Sequence, residues 1–365
     1  MKMEIFVLKR ILAFSAVLAL LWMTSSVALA GSITVTDMAG RSVTIGLPVK
    51  RIVCAGPGAL RLIAYMNQTE KVVGVEEIER DPTGRPYAYA HPEFKSLPTI
   101  GPGGPAYIDR GPDPEATLAC KPDLLFVTYM QGQNANKLQN KLGVPVVVLS
   151  YGDLATFDET VFDSFRLIGR IMECNDGRAD ALVEFFTQMK KDLFERTAAV
   201  SKHRQKVYVG GIGHKGSHGI DSTLRSYPPF EFLGVKSVVE GLKGDHIFID
   251  REKLLEWDPD VIFIDGGGGH LIQADIEKNP HFYEHLSAFK KGRVYLTLPY
   301  NHYTTNLGTC FANAYYVGTV LYPEAFKDID PGKKANDIYK FLLGKGVYDD
   351  MKRSFGGYGS WLPMH

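Results

Sequence analysis

Two histidines four residues apart, His214 and His218, enclose Lys215 within a glycine-broken run, Gly213-His-Lys-Gly-Ser-His-Gly219. Imidazoles at that spacing hold a transition metal when a helix carries both rings on one face. Gly213, Gly216 and Gly219 oppose a helix here, so the segment reads as a loop that offers imidazole, ammonium and bare amide groups to ligand oxygens. A metal held by protein groups alone would need His302 as a third imidazole. His302 sits in a second polar segment, Tyr300-Asn-His-Tyr303, and Tyr129 and Tyr151 occupy comparable loops in the first half. Aromatic walls bury broad ligand area with little entropy loss, and phenols also donate hydrogen bonds. Packing beneath helices is the competing role for these tyrosines. Arg61, which follows the tight Gly56-Pro-Gly58 loop, adds a cation for an anionic ligand, with plain helix-surface exposure as its alternative. His214, Lys215, His218, Tyr300, His302, Tyr129, Tyr151, Arg61 and Gly58 are therefore the candidate ligand contacts, and His214, His218 and His302 the candidate metal set.

Covalent chemistry finds no apparatus. Gly211-x-Gly213-x-x-Gly216 follows the apolar run Val207-Tyr-Val and formally matches a dinucleotide fingerprint, but Ser217 to Ser222 and then Pro228-Pro229 replace the helix that must start inside it. There is no Gly-x-Ser-x-Gly, His-Glu-x-x-His or phosphate loop. A binding protein without a cofactor is expected, and an NAD-dependent oxidoreductase is the rejected alternative.

The elements that position these loops come in two similar sets. Glu115-Ala-Thr-Leu-Ala-Cys-Lys-Pro-Asp-Leu-Leu-Phe-Val reappears as Glu252-Lys-Leu-Leu-Glu-Trp-Asp-Pro-Asp-Val-Ile-Phe-Ile. Each copy sets a glutamate near the start of a short helix, ahead of a Pro-Asp that opens a hydrophobic strand. Behind an Asp N-cap, such an acid gains about 0.3–1 kcal/mol from the helix dipole; its repetition in both halves points instead to paired contacts on a basic partner. Short apolar strands alternate with helices, including Arg51 to Ala55, Val72 to Val75, Leu124 to Thr128 and Val146 to Leu149 in the first half. Lys206 to Gly210, Ser237 to Val239, Val261 to Asp265 and Arg293 to Thr297 follow in the second. The pattern predicts an α/β fold of two Rossmann-like lobes with mostly parallel sheets. Ala181, Leu182, Phe185, Phe186, Met189 and Leu193 recur at helical steps, so a long connecting helix, broken at Asn175-Asp-Gly177, joins the lobes. Helices over Thr304 to Leu321 and Asn336 to Met351 close the chain. The expected division is 1–30, 31–156 (first lobe), 157–202 (connector) and 203–365 (second lobe with the final helices).

Lys2, Lys9 and Arg10, an apolar run from Ile11 to Trp22 and Ala28-Leu-Ala30 form a secretory signal, expected to be cut after Ala30. The whole chain has 41 basic and 41 acidic residues; with three of the former and one of the latter in the signal, 38 stand against 40 in the mature part. That balance offers no field for nucleic acid. Cys54, Cys120, Cys174 and Cys310 match neither a zinc pattern nor Cys-x-x-Cys, and Cys54 and Cys120 read as small core residues.

The opening Asp37-x-x-Gly40-Arg41, the Pro48-x-x-Arg51-Ile-Val53 run, Val72-x-Gly74-Val75, both Glu-x6-Pro-Asp units and the connector, in that order, resemble the ABC-transporter substrate-binding proteins of the helix-backbone class, which capture ferric siderophores, haem and cobalamin. The resemblance spans nearly the whole mature chain. No cysteine directly follows the expected cleavage point to take a lipid anchor, so a monomer free in the periplasm is expected; the resemblance implies that it delivers a small metal-containing ligand to an inner-membrane permease dimer. It also implies that Glu115 and Glu252 pair with permease arginines. A ferric chelate leads as cargo, an oxyanion such as molybdate or tungstate follows, and cobalamin or haem comes third.

Overall fold

The computed structural model describes residues 31–152, 160–198, 200 and 205–361. The signal segment and its cleavage point, the junctions at 153–159 and 201–204, and the last four residues lie outside the described residues. Strands β1 (Ser32–Thr36) and β2 (Ser42–Gly46) form the expected antiparallel hairpin. Its Asp-x-x-Gly-Arg turn serves docking: Asp37 accepts from the Arg41 backbone and guanidinium and from the Val148 amide at 3.0 Å, fastening the hairpin to a sheet edge.

That sheet has the order β4 (Val72–Gly74), β3 (Ile52–Ala55), β5 (Leu124–Thr128), β6 (Val146–Leu149), with every pair parallel. β3, β5 and β6 are buried on both faces, which is why they read as unbroken apolar runs. The second sheet runs β12 (Gly359–Ser360), β11 (Val294–Thr297), β10 (Val261–Asp265), β7 (Val207–Gly210), parallel except for the edge strand β12. Ser237 to Val239 is not a strand; only Ser237 bridges to Val207 before Glu240-Gly241 ends the run. A small antiparallel pair, β8 (Ser222–Leu224) and β9 (His246–Phe248), was not expected.

The sequence repeat is a repeat of construction. The Asp123 carboxylate accepts from the amides of Lys50 and Arg51 at the start of β3, and Asp260 accepts from the Lys206 amide at the start of β7. The basic side chain at the start of each strand then caps the repeat helix that leads into that aspartate. Arg51 donates to the carbonyls of Cys120 and Lys121, and Lys206 to that of Trp257.

The connector is two helices, Thr160–Ile171 and Arg178–Ala198, turned at Gly177 with φ +71°. Leu182, Phe186, Met189 and Leu193 form its buried stripe, and truncating any of them to alanine would cost about 2–5 kcal/mol. The final helices start and stop differently from expectation. Leu307–Leu321 begins after Thr304, whose φ is +65°, and Gly344 with φ +73° separates Pro331–Leu343 from Tyr348–Phe355. Helix Leu307–Leu321 packs on the connector and helix Pro331–Leu343 on Ala59–Tyr65 of the first lobe, so one apolar core runs through both lobes. The lobes are thereby joined along a packed face, not by a loose tether. All four cysteines are free, with Cys54, Cys120 and Cys310 buried.

Candidate functional site

The loop after β11 crosses from the second lobe to the first as a strap. Within it Asn306 N donates to the Tyr300 carbonyl at 2.6 Å, and Tyr303 and Thr304 hold left-handed φ of 52° and 65°. Non-glycine residues occupy that region at a cost, which the surroundings must offset. They do so by polar fastening to the first lobe. Arg61 donates to the carbonyls of Thr305 (2.7 Å), His302 (3.0 Å) and Tyr303 (3.2 Å). The Tyr303 hydroxyl donates to Glu76 at 2.7 Å and accepts from the Gly104 amide at 3.0 Å, while Tyr129 and Thr304 share a hydroxyl bond of 2.6 Å. On the other side Asn301 donates to the Gly213 carbonyl at 3.2 Å.

Two cavities flank this strap and share Asn301. The first, of about 340 Å³, is lined by Pro57, Ile78 and Pro105 from one lobe and by Gly213, Lys215, Ser217 and Asp265 from the other, with His302 and Tyr303 of the strap between. The second, of about 560 Å³, is lined by His214, His246, Asp245, Ser226, Tyr300 and Thr305, among others.

The electrostatics of the first cavity are set by burial. Asp265 is almost fully buried and its carboxyl is pushed up to about 7, against the pull of the Gly267 and Tyr300 amides that it accepts. Glu76 is likewise raised to about 7, chiefly by burial. His302 is driven down to about 4 by burial and by Arg85 and Arg61, so its imidazole is neutral at pH 7. Its Nδ1 is buried and has no hydrogen-bond partner among the described residues.

The residues expected from sequence divide into three groups. Lys215 and His302 line the first cavity and His214 the second. His218 stands beside them, its Nε2 bonded to the His214 carbonyl and its ring edge-on to Phe248. Arg61, Tyr151 and Gly58 need correction as ligand contacts. Arg61 and Tyr151 are at most 2 % exposed, because helix Ala59–Tyr65 is buried on every side and Tyr151 donates to the Gly58 carbonyl at 2.9 Å. Arg61 holds the strap from behind, and the Tyr151 hydroxyl accepts from Arg61 at 3.3 Å. Tyr300 is 4 % exposed, edge-on to Tyr227, and borders the second cavity. Tyr129 is exposed and stacks on Tyr151 with centroids 6.3 Å apart.

The triad His214, His218 and His302 also needs correction: among the described residues no group of three or more His, Cys, Asp or Glu side chains is placed to hold a metal ion. His302 is tucked over Gly84 in the first lobe, while His214 instead stacks on His246, ring centroids 4.4 Å apart. His246, Glu76 and Asp265 were missed by sequence reasoning. His246 arrives by the β8–β9 pairing, and Glu76 follows β4 in the acidic stretch Glu76-Glu-Ile-Glu79. Gly211 to Gly216 leads into β8, not into a helix. Both repeat acids, Glu115 and Glu252, are exposed.

The profile of the family described as "Periplasmic binding protein" matches residues 52–300. Among curated relatives, the molybdate-binding protein MolA of Haemophilus influenzae is 26% identical over 330 residues, covering 84% of this chain and 89% of that protein. The Fe(3+)-citrate-binding protein YfmC of Bacillus subtilis is 30% identical over 188 residues, 50% of this chain and 56% of that one. The solved structure of MolA bound to molybdate superposes with a TM-score of 0.69 at 22% identity, over 86% of this chain and 98% of that chain.

Proposed function

Because the chain belongs to the periplasmic binding protein family, the substrate-binding components of ABC importers, we propose that its cargo is a small tetrahedral oxyanion of the molybdate or tungstate class. The observation that carries this reading is the first cavity. It is small, and it combines the Lys215 ammonium, the Ser217 hydroxyl and the neutral imidazole of His302. A buried anion needs such donors to replace its water. Asp265, with a pKa near pH 7, holds a proton part of the time and in that form donates to an anion oxygen instead of repelling it. The likeness to MolA over most of both chains supports the same class.

A ferric hydroxycarboxylate, the kind of cargo that the likeness to YfmC favours, is the second reading. The adjoining cavity of about 560 Å³ gives room for an organic chelator. In this reading no reaction is assigned to the cleft, the mature protein begins after Ala30, and it works as a periplasmic monomer that hands its cargo to a permease pair.

Calorimetric titration of ligand-stripped protein with molybdate, tungstate, sulfate and ferric citrate tests the proposal. Tight binding of molybdate and tungstate, lost in Lys215→Met, is expected. Binding of ferric citrate with no response to either oxyanion would overturn it.

A further inference from the structure

The two repeat helices share more than their acids. Helix Pro114–Ala119 buries Thr117, two residues after Glu115, and exposes Leu118, three residues after it. Helix Arg251–Trp257 buries Leu254 and exposes Leu255 at the same two offsets from Glu252. The exposures agree: 43 % for Leu118 and 37 % for Leu255, against 0 % and 1 % for the residues just before them. Both helices are therefore set at one rotation about their axes. Residues three apart share a helix face, so each acid stands beside a leucine that meets no core.

Only seven large hydrophobic side chains are exposed among the described residues, and two of them are these matched leucines. A single exposed leucine needs no explanation, but the same one at the same place in both lobes does. The helices beneath are fixed, since Arg51 and Lys206 cap their last carbonyls and Asp123 and Asp260 anchor the strands that follow. A patch repeated on two similar lobes fits a partner that presents one surface twice, as a symmetric pair of subunits does. The exposed acids require that surface to be basic, and the leucines require an apolar recess beside each basic group.

We propose that Leu118 and Leu255 are contact residues for the permease pair, each seating in an apolar recess while Glu115 or Glu252 meets a cation at its rim. This rests on the assignment of the chain as an importer's binding component. Charge then governs encounter, and leucine burial governs how long the complex lasts.

The test uses the mature protein, loaded with molybdate, binding to its host's importer reconstituted in nanodiscs, at several salt concentrations. Leu118→Ala with Leu255→Ala is expected to weaken docking about tenfold or more, through faster dissociation and with the salt dependence kept. Leu118→Met with Leu255→Met should restore docking, and Phe194→Ala, an exposed apolar residue on the connector, should leave it unchanged. Glu115→Gln with Glu252→Gln should weaken docking and flatten its salt dependence. Molybdate affinity should hold in every variant. If the leucine pair docks like wild type while the glutamate pair fails, the inference about the leucines is wrong and the importer reading stands. If neither pair matters, the proposal falls and the importer reading stands; if the wild-type protein itself does not dock, both fall. Sedimentation showing a wild-type dimer that the alanine pair dissolves would give the face to a second copy and overturn the proposal.

Discussion

Tyr303 donates its phenolic proton to Glu76 at 2.7 Å, from the strap of one lobe to a carboxyl buried in the other. The same carboxylate oxygen accepts from the Gly56 amide at 3.0 Å, and the phenol oxygen accepts from Gly104. A continuous hydrogen-bonded chain thus links the lobes at the wall of the smaller cavity, where Tyr303 is also a lining residue. Lobe contact, the charge on Glu76 and the cargo space are coupled through one side chain.

Tyr303→Phe removes the donor and leaves a buried carboxyl with one amide partner. Such an unpaired group costs about 1–3 kcal/mol. Urea unfolding should show that loss, and stopped-flow release of molybdate should be faster than from wild type. Glu76→Gln, which removes the charge but keeps the volume, should be milder in stability at pH 8. Equal stability of Tyr303→Phe and wild type would remove the strap bond from the account.

Glu76 and Asp265 also set a pH dependence. Both carboxyls are raised to about 7 in the folded protein, so between the ordinary carboxylate range and pH 7 the folded chain holds protons that the unfolded chain has released. Stability from these groups is full below that ordinary range and is lost as pH rises through 7. The loss is on the order of 3–4 kcal/mol for each group. Urea midpoints should fall between pH 5.5 and pH 8.5, and Asp265→Asn and Glu76→Gln should each flatten the fall. An unchanged slope in both variants would contradict this origin.

The parts legible in the sequence are those decided locally. Glu115 to Val127 and Glu252 to Ile264 announce two lobes because the same aspartate does the same backbone task in each. The apolar runs of β3, β5 and β10 read as strands because they are covered on both faces. The site was less legible because chain segments far apart decide it. Glu76 sits among Glu77, Glu79 and Arg80, and its burial is decided by partners distant in the chain, Gly56 and, 227 residues on, Tyr303. Arg61 looked like a free cation, although its helix, apolar on nearly every turn, already carried the signal of full burial.

Arg61 is the strap's main donor, with three carbonyls of His302, Tyr303 and Thr305 on its guanidinium and the Tyr87 ring 5.1 Å away. Arg61→Met keeps the apolar stem and leaves those acceptors unmet. It should destabilise the protein by about 3 kcal/mol or more, as charged buried hydrogen bonds are lost together. Arg61→Lys, a point charge that cannot span three carbonyls, should recover only part. Thermal unfolding with and without molybdate measures both, and full recovery by lysine would show that charge alone suffices.

Gly58 separates the strap's effect on cargo from its effect on folding. Its φ is +77°, and a methyl group there would stand 2.4 Å from the Tyr151 hydroxyl and 2.6 Å from the Thr304 methyl. Gly58→Ala must therefore displace either Tyr151, which is walled into the core, or the strap, which is held by polar bonds at the cleft. The strap is the softer of the two. Gly143, at the end of helix Gly132–Leu142, has a similar φ of +63° but open space around it, so Gly143→Ala isolates the backbone penalty of about 1 kcal/mol. Gly58→Ala should keep its far-ultraviolet circular dichroism yet bind molybdate at least about tenfold more weakly, the loss of about 1.4 kcal/mol of cleft closure. Gly143→Ala should lose stability alone. If Gly58→Ala bound molybdate as tightly as wild type, the strap would be a structural tie with no hold on the cargo.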